Sequence, residues 1–104
     1  MKLTRVAPRD ITTILNILKS RLPGREVWAF GSRVSEQPKE FSDLDLVVIS
    51  SEPLSAELLM ELRHDFDSSD LPFKVDLVDW SGISEAFRDI IKKKYIVLQR
   101  TEGN

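Results

Sequence analysis

The chain has 104 residues, a net charge of −2 and no cysteine. Such a length supports one domain around one modest core, and the missing thiols exclude disulfides and thiolate metal sites. Charge is unevenly spread, +4 over residues 1–40, −8 over 41–80 and +2 over 81–104, and the whole is not basic enough for stable duplex nucleic-acid binding.

The opening M-K-L-T-R-V-A-P-R-D lacks the apolar core of a signal peptide, and no apolar run approaches membrane-spanning length. The expectation is a soluble cytoplasmic protein. A first helix starts near Pro8, a residue suited to a first turn, with Ile11, Ile14, Leu15, Leu18 and Leu22 at helical spacing; Pro23-Gly24 ends it. A first strand, Glu26 to Phe30, alternates Val27 and Ala29 against Trp28 and Phe30 and runs into Gly31. Residues 34–42 are polar, contain Pro38 and read as a loop or short hairpin connection. A second strand covers Asp43 to Ile49. A second helix follows Pro53, with Leu58, Leu59, Leu62 and Phe66 on one side, and stops in S-S-D-L-P at 68–72. A third strand spans Phe73 to Asp79. A third helix, with Ile83, Phe87, Ile90 and Ile91 inward, leads to a last strand, Tyr95 to Gln99, and a frayed T-E-G-N tail. These elements describe an α/β (α+β) fold, a single domain over 1–104 with a small mixed β-sheet backed by helices on one face.

The run Gly31 to Asp45, G-S-R-V-S-E-Q-P-K-E-F-S-D-L-D, carries the chemistry. A Gly-Ser turn is followed, after ten residues, by two aspartates spaced i, i+2 at the start of an apolar strand. Strand alternation puts Asp43 and Asp45 on one face and Leu44 and Leu46 on the other. Two neighbouring carboxylates repel each other unless a positive charge lies between them. Mg²⁺ is the hard cation that suits such oxygen ligands while leaving room for phosphate and water. A phosphate-sized turn beside that platform points to phosphoryl or nucleotidyl transfer.

Other enzymes with a D-x-D pair are disfavoured by its context. In haloacid-dehalogenase-type phosphatases and many sugar-nucleotide glycosyltransferases the apolar strand precedes the pair, whereas here L-V-V-I follows it. The glycine patterns of P-loop and dinucleotide-binding folds are absent.

G-S-R-V, then S-D-L-D-L-V-V-I, then K-V-D-L-V-D-W resembles a minimal nucleotidyltransferase of the DNA polymerase β superfamily. The motifs span residues 27–80, and the helices and final I-I-K-K-K-Y-I-V-L-Q extend the similarity over nearly the whole chain. The resemblance implies that Asp43, Asp45 and Asp76 are catalytic and hold two Mg²⁺ ions, with Asp76 beside the acceptor hydroxyl. It implies that Gly31, Ser32 and Arg33 bind the nucleotide: Gly31 by close backbone approach, Ser32 through its hydroxyl, Arg33 by neutralising pyrophosphate. The implied reaction moves NMP, foremost AMP, from an NTP to a hydroxyl on a partner protein or small molecule and releases pyrophosphate.

Bland readings stand beside these. Asp43 could cap a turn after Ser42. Asp76 sits between Val75 and Leu77, where a strand aspartate needs a reason. Asp79, three residues on, faces the opposite side and suits a cap at Trp80-Ser81. Arg33 could be solvated, and Ser42 could orient Asp43 or be an ordinary turn residue. His64 falls on the polar side of its helix. Trp28 and Trp80 read as packing, and Lys92–Lys94 as cations that suit a helix C-terminus.

Larger superfamily members carry a second domain for nucleoside and acceptor, which this chain has no residues left to build. The resemblance therefore implies a helical, HEPN-like partner encoded nearby, with membrane contact not expected and self-association left open. Two other classes remain in view. One is a non-catalytic antitoxin or binding module that masks its partner. The other is a terminal nucleotide adder, for which no aromatic-basic stripe is visible.

Overall fold

In the computed structural model, which describes residues 3–35 and 43–101, each helix begins where its local chemistry dictates. Pro8 opens α1 (Pro8–Arg21), losing no hydrogen bond at a position whose N–H has no helical partner. The Ser55 hydroxyl accepts from the Leu58 N–H at 3.1 Å to start α2 (Ala56–Asp67). Ser84 does the same with Phe87 at 3.1 Å for α3 (Glu85–Lys93). Four strands, β1 (Glu26–Phe30), β2 (Leu44–Ile49), β3 (Val75–Asp79) and β4 (Ile96–Gln99), form one mixed sheet in the order β3-β2-β1-β4. β1 is antiparallel to β2 and β4, while β2 and β3, joined through α2, are parallel. Short 3₁₀ turns occupy Gly31–Val34 and Trp80–Gly82.

Alternation sorts the strands between two apolar layers. Val27, Ala29, Leu44, Leu46, Val48 and Leu77 face α1 and α2, which bring Ile14, Leu18, Leu62 and Phe66. Arg21 joins these helices by gripping the Asp65 carboxylate, with Nε at 2.6 Å, and pairing with Glu61. The opposite face, with Trp28, Phe30, Val47, Ile49 and Val78, packs on Phe87 and Ile91 of α3. Helices thus cover both faces rather than one, because the even-numbered residues of β1 are as apolar as the odd ones and need their own cover.

Other expectations change as well, and β2 begins at Leu44 rather than Asp43. Ile90 is 61% exposed, not inward. Phe87 and Ile91 set the buried direction of α3, and at about 100° per residue Ile90 falls to one side of it. β3 begins at Val75 rather than Phe73, and β4 at Ile96 rather than Tyr95, whose ring stacks on Trp28 at 4.0 Å. Val34 belongs to the 3₁₀ turn. The loop reading over 36–42, the role of Ser42 and the frayed tail over 102–104 lie outside the described residues.

Asp79 closes the end of the sheet away from Gly31. Its carboxylate accepts from the Ser50 hydroxyl (2.8 Å), the Leu54 N–H (2.8 Å), and the Ser81 N–H (3.0 Å) and hydroxyl (2.8 Å). Burial alone would raise its pKa, but the four donors outweigh burial and hold it below the usual carboxylate value. A depressed folded-state pKa means stability present above the unfolded pKa and lost as pH falls through the folded one. Asp79→Ala should therefore cost about 1–3 kcal/mol at pH 7. In paired urea titrations the gap from wild type should shrink below about pH 4; a constant gap would mean the carboxylate's charge is irrelevant.

Candidate active site

Strand register assembles the carboxylates. Asp45, second in β2, lies opposite Asp76, second in β3, and opposite Phe30, last in β1. Leu44 and Leu46 point into the α1/α2 layer, so Asp45 faces the α3 side, and the same parity brings Asp76 there. Asp43 precedes the strand by one residue and is exposed, as is Asp76, while Asp45 is half-buried.

Burial first, then the charges of Asp76 and Asp43, raise the pKa of Asp45. Three carboxylates thus share one electrostatic neighbourhood, and among the described residues no cation offsets their effect on Asp45. Among the described residues they do not close into a preformed metal cage. Their chemistry fits a hard divalent ion: every donor is oxygen, and the mutual repulsion is what such an ion relieves.

Gly31 stands directly over this platform. Its φ of +81° favours glycine, and a Cβ there would fall on an Asp45 carboxylate oxygen, with Cγ at 3.3 Å. Sequence reasoning reserved Gly31 for approach to phosphate; the structure adds that Asp45 itself requires the missing side chain. Ser32 is half-buried in the 3₁₀ turn that follows.

Arg33 departs from its expected place. It is buried, donates to the Arg5 carbonyl at 3.1 Å and lies 4.6 Å from the Phe73 ring centre. Its own carbonyl accepts from the Thr4 N–H at 2.7 Å. These contacts tie Arg33 to the N-terminal segment, so it is packed rather than solvated. The pair of long-range contacts carries no local sequence signal, since Thr4 and Arg5 lie almost thirty residues away. Asp79, the rival third carboxylate, is occupied by its four donors at the other end of β3. His64 is exposed on α2, and Trp28 packs edge-on against Trp80 at 5.5 Å, as the bland readings had it.

Gly31→Ala should displace the Asp45 carboxylate and cost about 1–2 kcal/mol through the strained φ alone. Thermal melts should show a Tm lower by roughly 4–15 °C, and titration calorimetry should show weaker Mg²⁺ binding. An unchanged Tm would remove the close approach.

Residues 12–103 match the family described as polymerase beta, nucleotidyltransferase. A probable protein adenylyltransferase, MntA of Haemophilus influenzae, is 45% identical over 97 residues, which make up 93% of this chain and 85% of that protein. A solved toxin–antitoxin structure with AMP-PNP shares the fold at TM-score 0.73 and 24% identity, over 89% of this chain and 75% of its own. A complex of tri-AMPylated Shewanella oneidensis HEPN toxin with MNT antitoxin does so at TM-score 0.65 and 24% identity, over 88% and 70%. No helix among the described residues is long and apolar enough to cross a membrane. The matched span takes in the Gly-Ser turn and all three carboxylates, and the chain belongs to the polymerase β family of nucleotidyltransferases.

Proposed function

We propose that the chain transfers AMP from ATP to a hydroxyl group on a helical, HEPN-like partner protein in the cytoplasm, and that the partner completes the active site. The observation that carries the reading is the convergence of Asp43, Asp45 and Asp76 beneath Gly31. The identity to a probable protein adenylyltransferase supports the choice of reaction, and the AMPylated HEPN toxin beside an MNT antitoxin supports the choice of acceptor.

In this reading Asp43, Asp45 and Asp76 hold two Mg²⁺ ions. Bound there, the metal would neutralise phosphate charge and ease ionisation of the acceptor hydroxyl. Ser32 donates its hydroxyl to a phosphate oxygen, and the backbone at Gly31 lets the triphosphate come close. Asp76, exposed at the rim, receives the acceptor's proton. The acceptor oxygen bonds to the α-phosphorus, the bond from that phosphorus to the bridging oxygen breaks, and pyrophosphate leaves. Arg33 holds the turn in place by tying it to residues 4 and 5.

The test is label transfer from α-³²P-ATP with Mg²⁺ to the purified HEPN-like protein encoded beside the chain. Transfer to that protein, lost with a chelator and with Asp43→Asn, is the expected result. Equal partner neutralisation by wild type and a triple Asp→Asn variant would instead favour masking without catalysis.

Asp45→Asn should lower transfer at least about 100-fold, since several kcal/mol of charge stabilisation are at stake. The same change should raise the Tm of the metal-free protein at pH 7. A raised folded-state pKa contributes stability below the unfolded pKa that is lost as pH rises through the folded one. The variant's advantage should accordingly fade as pH falls toward about 4. Melts of both proteins across pH 4–7 with chelator check it, and a destabilised variant at pH 7 would contradict the repulsion.

A further inference from the structure

The rotation of α3 about its axis is fixed by its contacts. Phe87 meets the Phe30 ring edge-on at 5.8 Å, and Ile91 is fully buried. On one flank Arg88 donates twice to the Trp80 carbonyl, at 3.1 and 2.8 Å, and lies over the Trp80 ring, as does Lys92. At about 100° per residue the other flank carries Ala86, Ile90 and Lys93, spaced i, i+4, i+7. All three are exposed.

That flank faces a definite direction. Trp80 follows the end of β3, so the Arg88 flank looks toward the end of the sheet that Asp79 closes. Phe30 is the last residue of β1 and pairs with Asp45, so the opposite flank looks toward the carboxylates. The one large apolar side chain it exposes, Ile90, therefore sits on the helix edge turned toward the carboxylate end of the sheet.

We propose that the Ala86–Ile90–Lys93 flank of α3 docks an apolar-faced helix of the acceptor protein, with a carboxylate near Lys93 and Lys94, and so delivers the acceptor hydroxyl to Asp76. The proposal rests on the reading of a protein acceptor given above. Three observations choose this occupant. An acceptor has to reach the carboxylates, and a surface continuous with them is where its carrier must lie. Small and branched side chains one and two turns apart form a ridge that another helix accommodates. Paired lysines at the end of the ridge favour an acidic counterpart over another basic surface. A nucleobase seat needs enclosure, and Ile90 stands open on a convex helix surface. Met60, the other large exposed apolar residue among those described, is on α2 across the sheet and serves as the control.

The experiment compares wild type, Ile90→Asp, Ile90→Ala and Met60→Asp, all as the full chain, with the purified HEPN-like protein from the neighbouring gene. Affinity for that protein, affinity for ATP alone, and KM and kcat for label transfer are measured. Ile90→Ala should weaken the complex about tenfold and Ile90→Asp further, by lost apolar burial. KM for the partner should rise in step, with kcat at saturating partner, ATP affinity and Met60→Asp all matching wild type. Unchanged Kd in both Ile90 variants would overturn the proposal, as would a fall in ATP affinity or conversion of a wild-type homodimer to monomers. If wild type binds the partner but transfers no label, the reaction reading fails, and the Kd series still decides the docking surface.

Discussion

The parallel register of β2 and β3 is the constraint on which the rest of the site depends. It sets Asp45 beside Asp76, where burial and then the neighbouring carboxylates raise the pKa of Asp45. A shift of β3 by one residue against β2 would send Asp76 into the α1/α2 layer, among Leu44 and Leu46, and turn Leu77 out of it. The register is held from two sides. The leucines anchor it from beneath, and Asp79 binds the start of the β2–α2 connection at the far end. The residues that hold the platform are thus distinct from those that form it.

Stability and chemistry pull against each other at one atom group. Gly31 gives up a side chain, and with it backbone restriction, so that the turn can close over Asp45. Asp45 in turn remains half-buried among like charges, with no compensating cation among the described residues. The isolated fold would gain from neutralising Asp45, whereas Gly31 has to stay for as long as the turn closes over that carboxylate. Their joint presence marks a site where close approach and concentrated negative charge are kept at the expense of the free protein's stability.

Much of this was legible in the sequence because it follows from short-range periodicity. Alternation places Asp45 and the leucines on opposite faces, whereas Asp76 entered through the motif resemblance and its place opposite Asp45 comes from the strand register. The turn-capping role of Asp79 was visible too, since Ser81 is only two residues away. Its bonds to Ser50 and Leu54 span 29 and 25 residues and were not. Ile90 was misplaced because apolar character alone does not fix a helix's rotation; the grip of Arg88 and Lys92 on Trp80 does. Arg33 was read beside its motif neighbours, and its contacts with Arg5 and Phe73 lie too far along the chain to be read locally.

That N-terminal attachment turns the start of the chain into a mechanical handle on the nucleotide turn. Leu3 is buried, Thr4 bonds the backbone of Arg33 and Ser35, and Arg5, at a φ of +58°, offers its carbonyl to the Arg33 guanidinium. A load applied ahead of Leu3 passes through these bonds directly into the segment that follows Gly31. β4, by contrast, is an edge strand that meets the carboxylate strands only through β1. A fused domain or surface tether joined before Leu3 would tug on the catalytic turn, and one joined beyond β4 would leave it slack.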